Sequence, residues 1–358
     1  MIKAMMVDFF KEHEGTLIMR LWLTLLCMIF AGFAGQSFAA HPIDIDACLS
    51  RVVVEAAADQ TVGELRRLCE SRLADSPRDM SETGLLGENE EYTALKRRQL
   101  IETLTEYEPF VLTPHKTNYI LLAAYNTSSP HEGPFRAQFA DEAIPLDHAE
   151  AKFQLSLKIP IAENLIGDQG DIYMAYTNRS FWQVYNQEVS APFRETNHEP
   201  EAWMRFRHDW SLVGFRNVIN DIGIVHQSNG RSGLLSRSWN RIYLQSIFQK
   251  DNLYLAFKPW WRIPEDASDD DNPDIDDYLG NFELGGLYQL ERHSLAVMLR
   301  NNLRFDDNRG AIQVDWSFPF TKRLRGYLQW FSGYGESLID YNASVNSIGL
   351  GLLLTDWL

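Results

Sequence analysis

From about residue 110 to the C-terminus, apolar and polar residues alternate with a period of two, in segments about ten residues long. Phe153, Leu155, Leu157 and Ile159 share one face of their segment, and Gln154, Ser156 and Lys158 share the other. Ile312, Val314, Trp316 and Phe318 stand in the same way against Gln313, Asp315 and Ser317. Leu253, Leu255 and Phe257 oppose Tyr254, Ala256 and Lys258. Successive side chains on a strand point to opposite faces, so each segment is a strand with one oily and one polar side. A soluble sandwich alternates too, with its oily faces packed together. Three features favour a membrane barrel instead. The segments are long enough for a tilted crossing of the bilayer. Their polar faces carry Lys, Arg, Asp and Gln, which suit a polar interior. Aromatic residues gather near segment ends, as in KPWW (258–261) and RSFWQVY (179–185).

About twelve such segments can be marked, near 116–127, 150–160, 170–185, 200–212, 215–228, 238–249, 252–263, 277–290, 293–304, 309–318, 322–334 and 344–357. An even number closes an antiparallel barrel and leaves no edge exposed to lipid. The expected fold is all-β, a twelve-stranded antiparallel transmembrane β-barrel over 109–358. In the last segment Ile348, Leu350, Leu352, Leu354 and Leu358 alternate with Ser347, Gly349, Gly351 and Thr355. Outer-membrane barrels commonly finish on an aromatic residue, whereas this chain ends Trp357-Leu358.

The N-terminus reads as an export address. Met19 and Arg20 open an apolar run that closes on Ser37-Phe38-Ala39, so residues 1–39 are expected to be a signal peptide cleaved after Ala39. The residues before Met19 are unusual for such a peptide, and Met19 itself is a candidate start. Cys27 does not lie in a lipid-attachment motif. Residues 40–108, rich in Ala, Leu, Glu and Arg, read as a small, mainly helical periplasmic extension. Its Cys48 and Cys69 are expected to pair in an oxidising compartment. Beyond the leader, no run of eighteen apolar residues offers a transmembrane helix. A formal net charge of −16 argues against nucleic acid as a partner and leaves cations, calcium above all, as partners.

Within DIGIVHQS (221–228), His226 and Ser228 fall in phase with Ile222 and Ile224, so they share the oily face near the strand's end. On the next segment Asn240 shares a face with Ile242 and Leu244, while Trp239, Arg241 and Tyr243 take the other. Three polar side chains on a lipid-facing wall are costly without a purpose. A serine needs a base, and the base needs a third group to hold its tautomer. Ser228, His226 and Asn240 can fill these roles, and a neutral amide costs less to desolvate there than a carboxylate. The plainer alternative is three interfacial polar residues bonded to loop backbone or headgroups.

The segment HQSNGRSGLLSRSWNRIY (226–243) resembles the active-site signature of the outer membrane phospholipase A family, calcium-dependent twelve-stranded barrels. The blocks 177–201, 258–280 and 332–342 resemble the same family in order and spacing, so the likeness covers roughly 109–358. It implies Ser228 as nucleophile, His226 as base and Asn240 as orienting amide, with Gly230 N–H in the oxyanion hole. It also implies calcium ligands at the Arg231 carbonyl, the Ser236 hydroxyl and the Ser190 carbonyl of a second subunit, with Asp271 a ligand in the monomer. The implied activity is hydrolysis of the sn-1 and sn-2 acyl esters of phospholipids and lysophospholipids in the outer membrane of a Gram-negative bacterium. The implied control is a reversible, calcium-bound homodimer. Two positions depart from the family: Gly233 stands where an Asp is usual, and Asn178 where a dimer-bridging glutamine is usual. The remaining acidic residues of 265–277 read as a solvated loop. The rival readings are a passive pore or scaffold barrel and a soluble periplasmic esterase.

Overall fold

The structure is a computed structural model that describes residues 113–355 apart from 141–144, 168, 189–190 and 322–323. The leader ending at Ala39, the helical reading of 40–108, the Cys48–Cys69 pair and the terminal Trp357-Leu358 lie outside the described residues.

Fourteen strands form one antiparallel sheet, and two of them, β1 (Thr113–Pro114) and β6 (Ser211–Leu212), are only two residues long. The other twelve run β2 (Asn118–Asn126), β3 (Ala149–Ala162), β4 (Asp171–Trp182), β5 (Phe193–Phe206), β7 (Phe215–Ser228) and β8 (Ser238–Lys250). They continue as β9 (Leu253–Ile263), β10 (Phe282–Leu290), β11 (His293–Asn301), β12 (Gly310–Pro319), β13 (Arg325–Tyr334) and β14 (Ser344–Thr355). Each pairs with its neighbour in this series, and β14 returns to β2 through pairs such as Ile348 with Tyr125 and Leu352 with Ile120. The ring is closed, so each of these twelve strands has a partner on both sides.

The alternation in the sequence becomes an inside and an outside. On β3, Leu155, Leu157, Ile159 and Ile161 are exposed outwards, while Lys152, Gln154, Ser156 and Lys158 are buried in the lumen. The interior is a packed polar network. Lys152 Nζ reaches Gln329 Oε1 at 2.6 Å and Glu336 Oε1 at 3.2 Å. Arg205 and Asp221 form a two-bond pair at 2.8 Å. Large aromatics pack beside it: Tyr173, Trp203, Trp239, Tyr243 and Trp260 belong to one buried cluster. The inward position 223 takes a glycine because a Cβ there would stand 2.6 Å from the Tyr243 ring and 2.8 Å from Trp203.

Two expectations are adjusted. The fourth segment, expected near 200–212, is the strand Phe193–Phe206. The outward positions in its first half are Thr196, His198 and Pro200, which carry no apolar alternation to mark them. The aromatic clusters at strand ends also divide between the faces. Trp261 is 55% exposed on the wall, but Trp260 is 2% exposed inside, and Phe181 likewise points into the lumen. One end of the barrel carries longer loops, such as 229–237, 264–281 and 335–343. The other has tight turns, such as 251–252 and 291–292. His226 and Ser228 lie at the long-loop end, where β7 finishes.

Candidate functional site

Strands β7 and β8 are in register, with His226 opposite Asn240, Ile224 opposite Ile242 and Ile222 opposite Leu244. Ile222, Ile242 and Leu244 are all exposed on the outer wall. His226 and Asn240 stand on that same side, in phase with them. His226 Nδ1 lies 2.8 Å from Asn240 Oδ1. Asn240 Nδ2 in turn donates to Glu265 Oε1 at 2.6 Å. The carboxylate takes the amide's donors, so Oδ1 is left for the imidazole. An amide oxygen accepts only, so Nδ1 carries the proton and Nε2 keeps its lone pair. That is the tautomer of a general base.

Ser228 ends β7 two residues on, paired with Ser238 on one side and with His198 of β5 on the other. Among the described residues, Ser228 Oγ makes no hydrogen bond to the imidazole. Ser228 and His226 nevertheless share a face, two residues apart on one strand.

The loop 229–237 is held from within by Asn229, which is 4% exposed. Its Nδ2 donates to Leu235 O at 2.8 Å, and its Oδ1 accepts from Arg237 N at 3.0 Å and Arg231 N at 3.3 Å. Arg231 ties the loop to β5, donating to Arg194 O at 2.6 Å and Phe193 O at 3.1 Å. Gly230, at φ +63°, takes the left-handed turn that brings the chain back over the strand end. Its N–H donates to no acceptor among the described residues, so it is open to a ligand.

Two expected cation ligands meet. Ser236 Oγ donates to Asp271 Oδ2 at 2.5 Å. Asp271 is exposed and belongs to the loop 264–281, which also supplies Asn272 Oδ1 to Ser238 N at 2.9 Å. Hydroxyl and carboxylate oxygens are donors a hard cation prefers, so Ser236 and Asp271 fit calcium. Ser190 lies outside the described residues. Gly233, at φ +64°, begins the short 3-10 turn Gly233–Leu235. An Asp there would be strained, and a Cβ would stand 2.9 Å from Gln138 Oε1. Asn178 lies on the outer wall opposite His198, with Nδ2 3.5 Å from His198 Nδ1.

Sequence reasoning missed Glu265 and Asn229. Glu265 falls in the acidic run read as solvated, but that run is engaged. Asp270 pairs with Arg262 at 2.6 Å, Asp274 accepts from Tyr341 at 2.6 Å, and Asp277 pairs with Arg304 at 2.5 Å. Partial burial raises the Glu265 pKa above the ordinary carboxylate value, and the bond from Asn240 draws it back only in part. The available signal was position: Ile263 is the register partner of Asn240, so the loop that follows β9 starts beside the amide.

A family model described as phospholipase A1 matches residues 95–354. The phospholipase A1 of Klebsiella pneumoniae is 40% identical over 248 residues, covering 69% of this chain and 84% of that protein. The phospholipase A1 of Escherichia coli K12 is 36% identical over 264 residues, covering 74% of this chain and 88% of that protein. The solved outer membrane phospholipase A from Escherichia coli matches with a TM-score of 0.64 at 36% identity, covering 70% of this chain and 100% of that one. The Salmonella typhi outer membrane phospholipase, a dimer with bound calcium, matches with a TM-score of 0.66 at 35% identity, covering 72% of this chain and 97% of that one.

Proposed function

The chain belongs to the phospholipase A1 family, and from that premise we propose that Ser228, His226 and Asn240 are its catalytic triad, acting on the outer wall of the barrel. The protein is an outer-membrane phospholipase of a Gram-negative bacterium, and its substrate is the lipid in which the wall sits. A site on the wall meets the acyl ester without drawing the lipid into water.

Ser228 Oγ attacks the ester carbonyl carbon at the sn-1 or sn-2 position, and its proton passes to His226 Nε2. Asn240 holds the opposite nitrogen and stabilises the imidazolium that forms. The negative charge on the carbonyl oxygen is met by Gly230 N–H. The C–O bond to glycerol breaks, His226 returns the proton to the leaving oxygen, and lysophospholipid departs. Water, activated by the same histidine, then releases the fatty acid from the serine. The Ser236 hydroxyl and the Arg231 carbonyl would hold calcium, joined by the Ser190 carbonyl of a second copy in a dimer and by Asp271 in the monomer, and the ion would supply further positive charge at the oxyanion. A calcium-linked homodimer follows from the same reading, supported by the dimeric, calcium-bound Salmonella relative.

One observation carries this reading: the 2.8 Å bond between His226 and Asn240, on the outward side of β7 and β8 beside an outward serine. The test is hydrolysis of phospholipid in detergent micelles by the purified protein, with and without a calcium chelator. Ser228→Ala and chelation are each expected to abolish turnover. Undiminished hydrolysis by Ser228→Ala rejects the triad.

A further inference from the structure

A second histidine borders Ser228. His198 on β5 is the register partner of Ser228 on one side and of Asn178 on the other, so the three lie in one row across the outer wall. The His198 ring is held on its β4 side. Tyr176 Oη lies 2.5 Å from Nδ1, and Asn178 Nδ2 lies 3.5 Å from the same atom. Ser180 Oγ donates to Asn178 Oδ1 at 3.1 Å, which turns the amide nitrogen towards the ring. An amide nitrogen only donates, and a phenol can donate, so Nδ1 satisfies both neighbours as an acceptor. The proton then resides on Nε2. This is the reverse of His226, whose Nδ1 faces an acceptor.

The protonated edge faces the turn after the serine. A Cβ built on Gly230 would stand 3.6 Å from His198 Cδ2 and 3.7 Å from Nε2, so the imidazole edge borders Gly230 where a side chain would stand. No acceptor among the described residues takes the Nε2 proton. An N–H donor left open on a lipid-facing wall is a costly arrangement unless an acceptor arrives with the substrate.

Building on the triad reading above, we propose that His198 is a further catalytic residue, whose Nε2–H joins Gly230 N–H in binding the oxyanion formed on the substrate carbonyl. The two histidines then flank Ser228 in opposite tautomers. His226 offers a lone pair to the serine proton, and His198 offers a proton to the ester oxygen. No proton leaves His198 during the reaction. Its bond strengthens as negative charge develops, so its effect falls on kcat rather than on KM.

The test uses the full chain in micelles with two substrates: a phospholipid, and a neutral acyl ester that lacks phosphate. His198→Phe keeps a ring on the wall and removes the donor. It is expected to lower kcat on the order of 10²-fold on both substrates, with KM little changed. His198→Gln, which keeps an N–H within reach, is expected to recover much of the loss and reads the same donor should the Phe variant fail to fold. Heat-modifiable gel migration checks the fold of each variant. A kcat unchanged in His198→Phe overturns the assignment, and so does a His198→Gln variant no more active than folded His198→Phe. So does a loss confined to KM for the phosphate-bearing substrate, which marks a headgroup contact. So does a loss that rising protein concentration restores, which marks a subunit contact. Ser228→Ala run alongside separates failure of this proposal from failure of the triad.

Discussion

Glu265 stands behind Asn240, its Oε1 accepting the amide Nδ2–H at 2.6 Å, and this bond decides which end of the amide meets His226. A carboxylate thus reaches the imidazole through a neutral intermediary, and the charge itself sits in the loop rather than on the wall. Glu265→Ala is expected to free the amide to turn and to lower kcat roughly tenfold, the equivalent of one charge-assisted hydrogen bond. KM should stay near its original value, because Glu265 acts through Asn240. Burial raises the Glu265 pKa, so its charge is lost at a higher pH than that of a free glutamate. As pH falls through that value, the hold on the amide weakens. Glu265→Gln, neutral throughout, should lack this component of the acid limb, which a pH profile of kcat would record.

Asn240→Ala removes the acceptor that fixes the His226 tautomer. Activity is expected to fall roughly 10²-fold in kcat, within the range of general acid–base contributions. Asn240→Asp is the more discriminating change. In a solvated triad a carboxylate would serve well, but here it would face Glu265 across a short contact, and like charges so placed cannot both ionise readily. Asn240→Asp is therefore expected to recover little unless Glu265→Gln accompanies it. Comparing the single and double variants in one micellar assay measures that coupling directly.

The wall was legible wherever outward residues are apolar, as at Leu155, Leu157 and Ile159. The same rule exposed the site, because His226, Ser228 and Asn240 break an oily face in phase. It failed on β5 for a related reason. Thr196, His198 and Pro200 occupy the outward positions of its first half, so the part of the strand that borders the serine carries no apolar alternation, and the pattern marks only the second half. Glu265 was hidden differently. Its role depends on the register of the β8–β9 hairpin, which sets Ile263 opposite Asn240 and which composition does not encode, and its acidic neighbours give the run the look of a solvated loop.

Asp271 and Ser236 share one short bond between two different loops, and both are expected to hold calcium. Asp271→Asn keeps a carbonyl oxygen but removes the negative charge that attracts the ion. The free calcium needed for half-maximal hydrolysis should rise about tenfold, the effect of roughly 1.4 kcal/mol in binding. Turnover at saturating calcium should be preserved, because Asp271 touches neither the serine nor the imidazole. Ser236→Ala should shift the titration in the same direction. A calcium titration of activity for the three proteins distinguishes weakened binding from damaged chemistry. Equal half-maximal concentrations for all three would remove these residues from the ion's site.

Arg194 anchors the loop that follows β13. It pairs with both oxygens of Glu150 at 2.9 Å and with Asp340 Oδ2 at 2.7 Å, and Asp340 also accepts from Ser337 at 2.6 Å. Burial alone would raise the Asp340 pKa. The Arg194 guanidinium, the neighbouring His131 ring and the Ser337 bond outweigh it and hold the carboxyl well below the ordinary range. Asp340→Asn is expected to cost about 3 kcal/mol, the low end for a broken buried pair, because Glu150 still neutralises the arginine. Arg194→Met leaves Glu150 and Asp340 without their cation and should cost more. A depressed carboxylate contributes stability that is complete above its unfolded pKa and is lost as pH falls through the folded one. The difference in melting midpoint between the original protein and Asp340→Asn should therefore hold steady from neutral pH down to about 4, the unfolded aspartate value. Below that it should narrow. Heat-modifiable migration in detergent, followed against temperature at each pH, reads this directly, and a gap that widens on acidification would refute the assigned pairing.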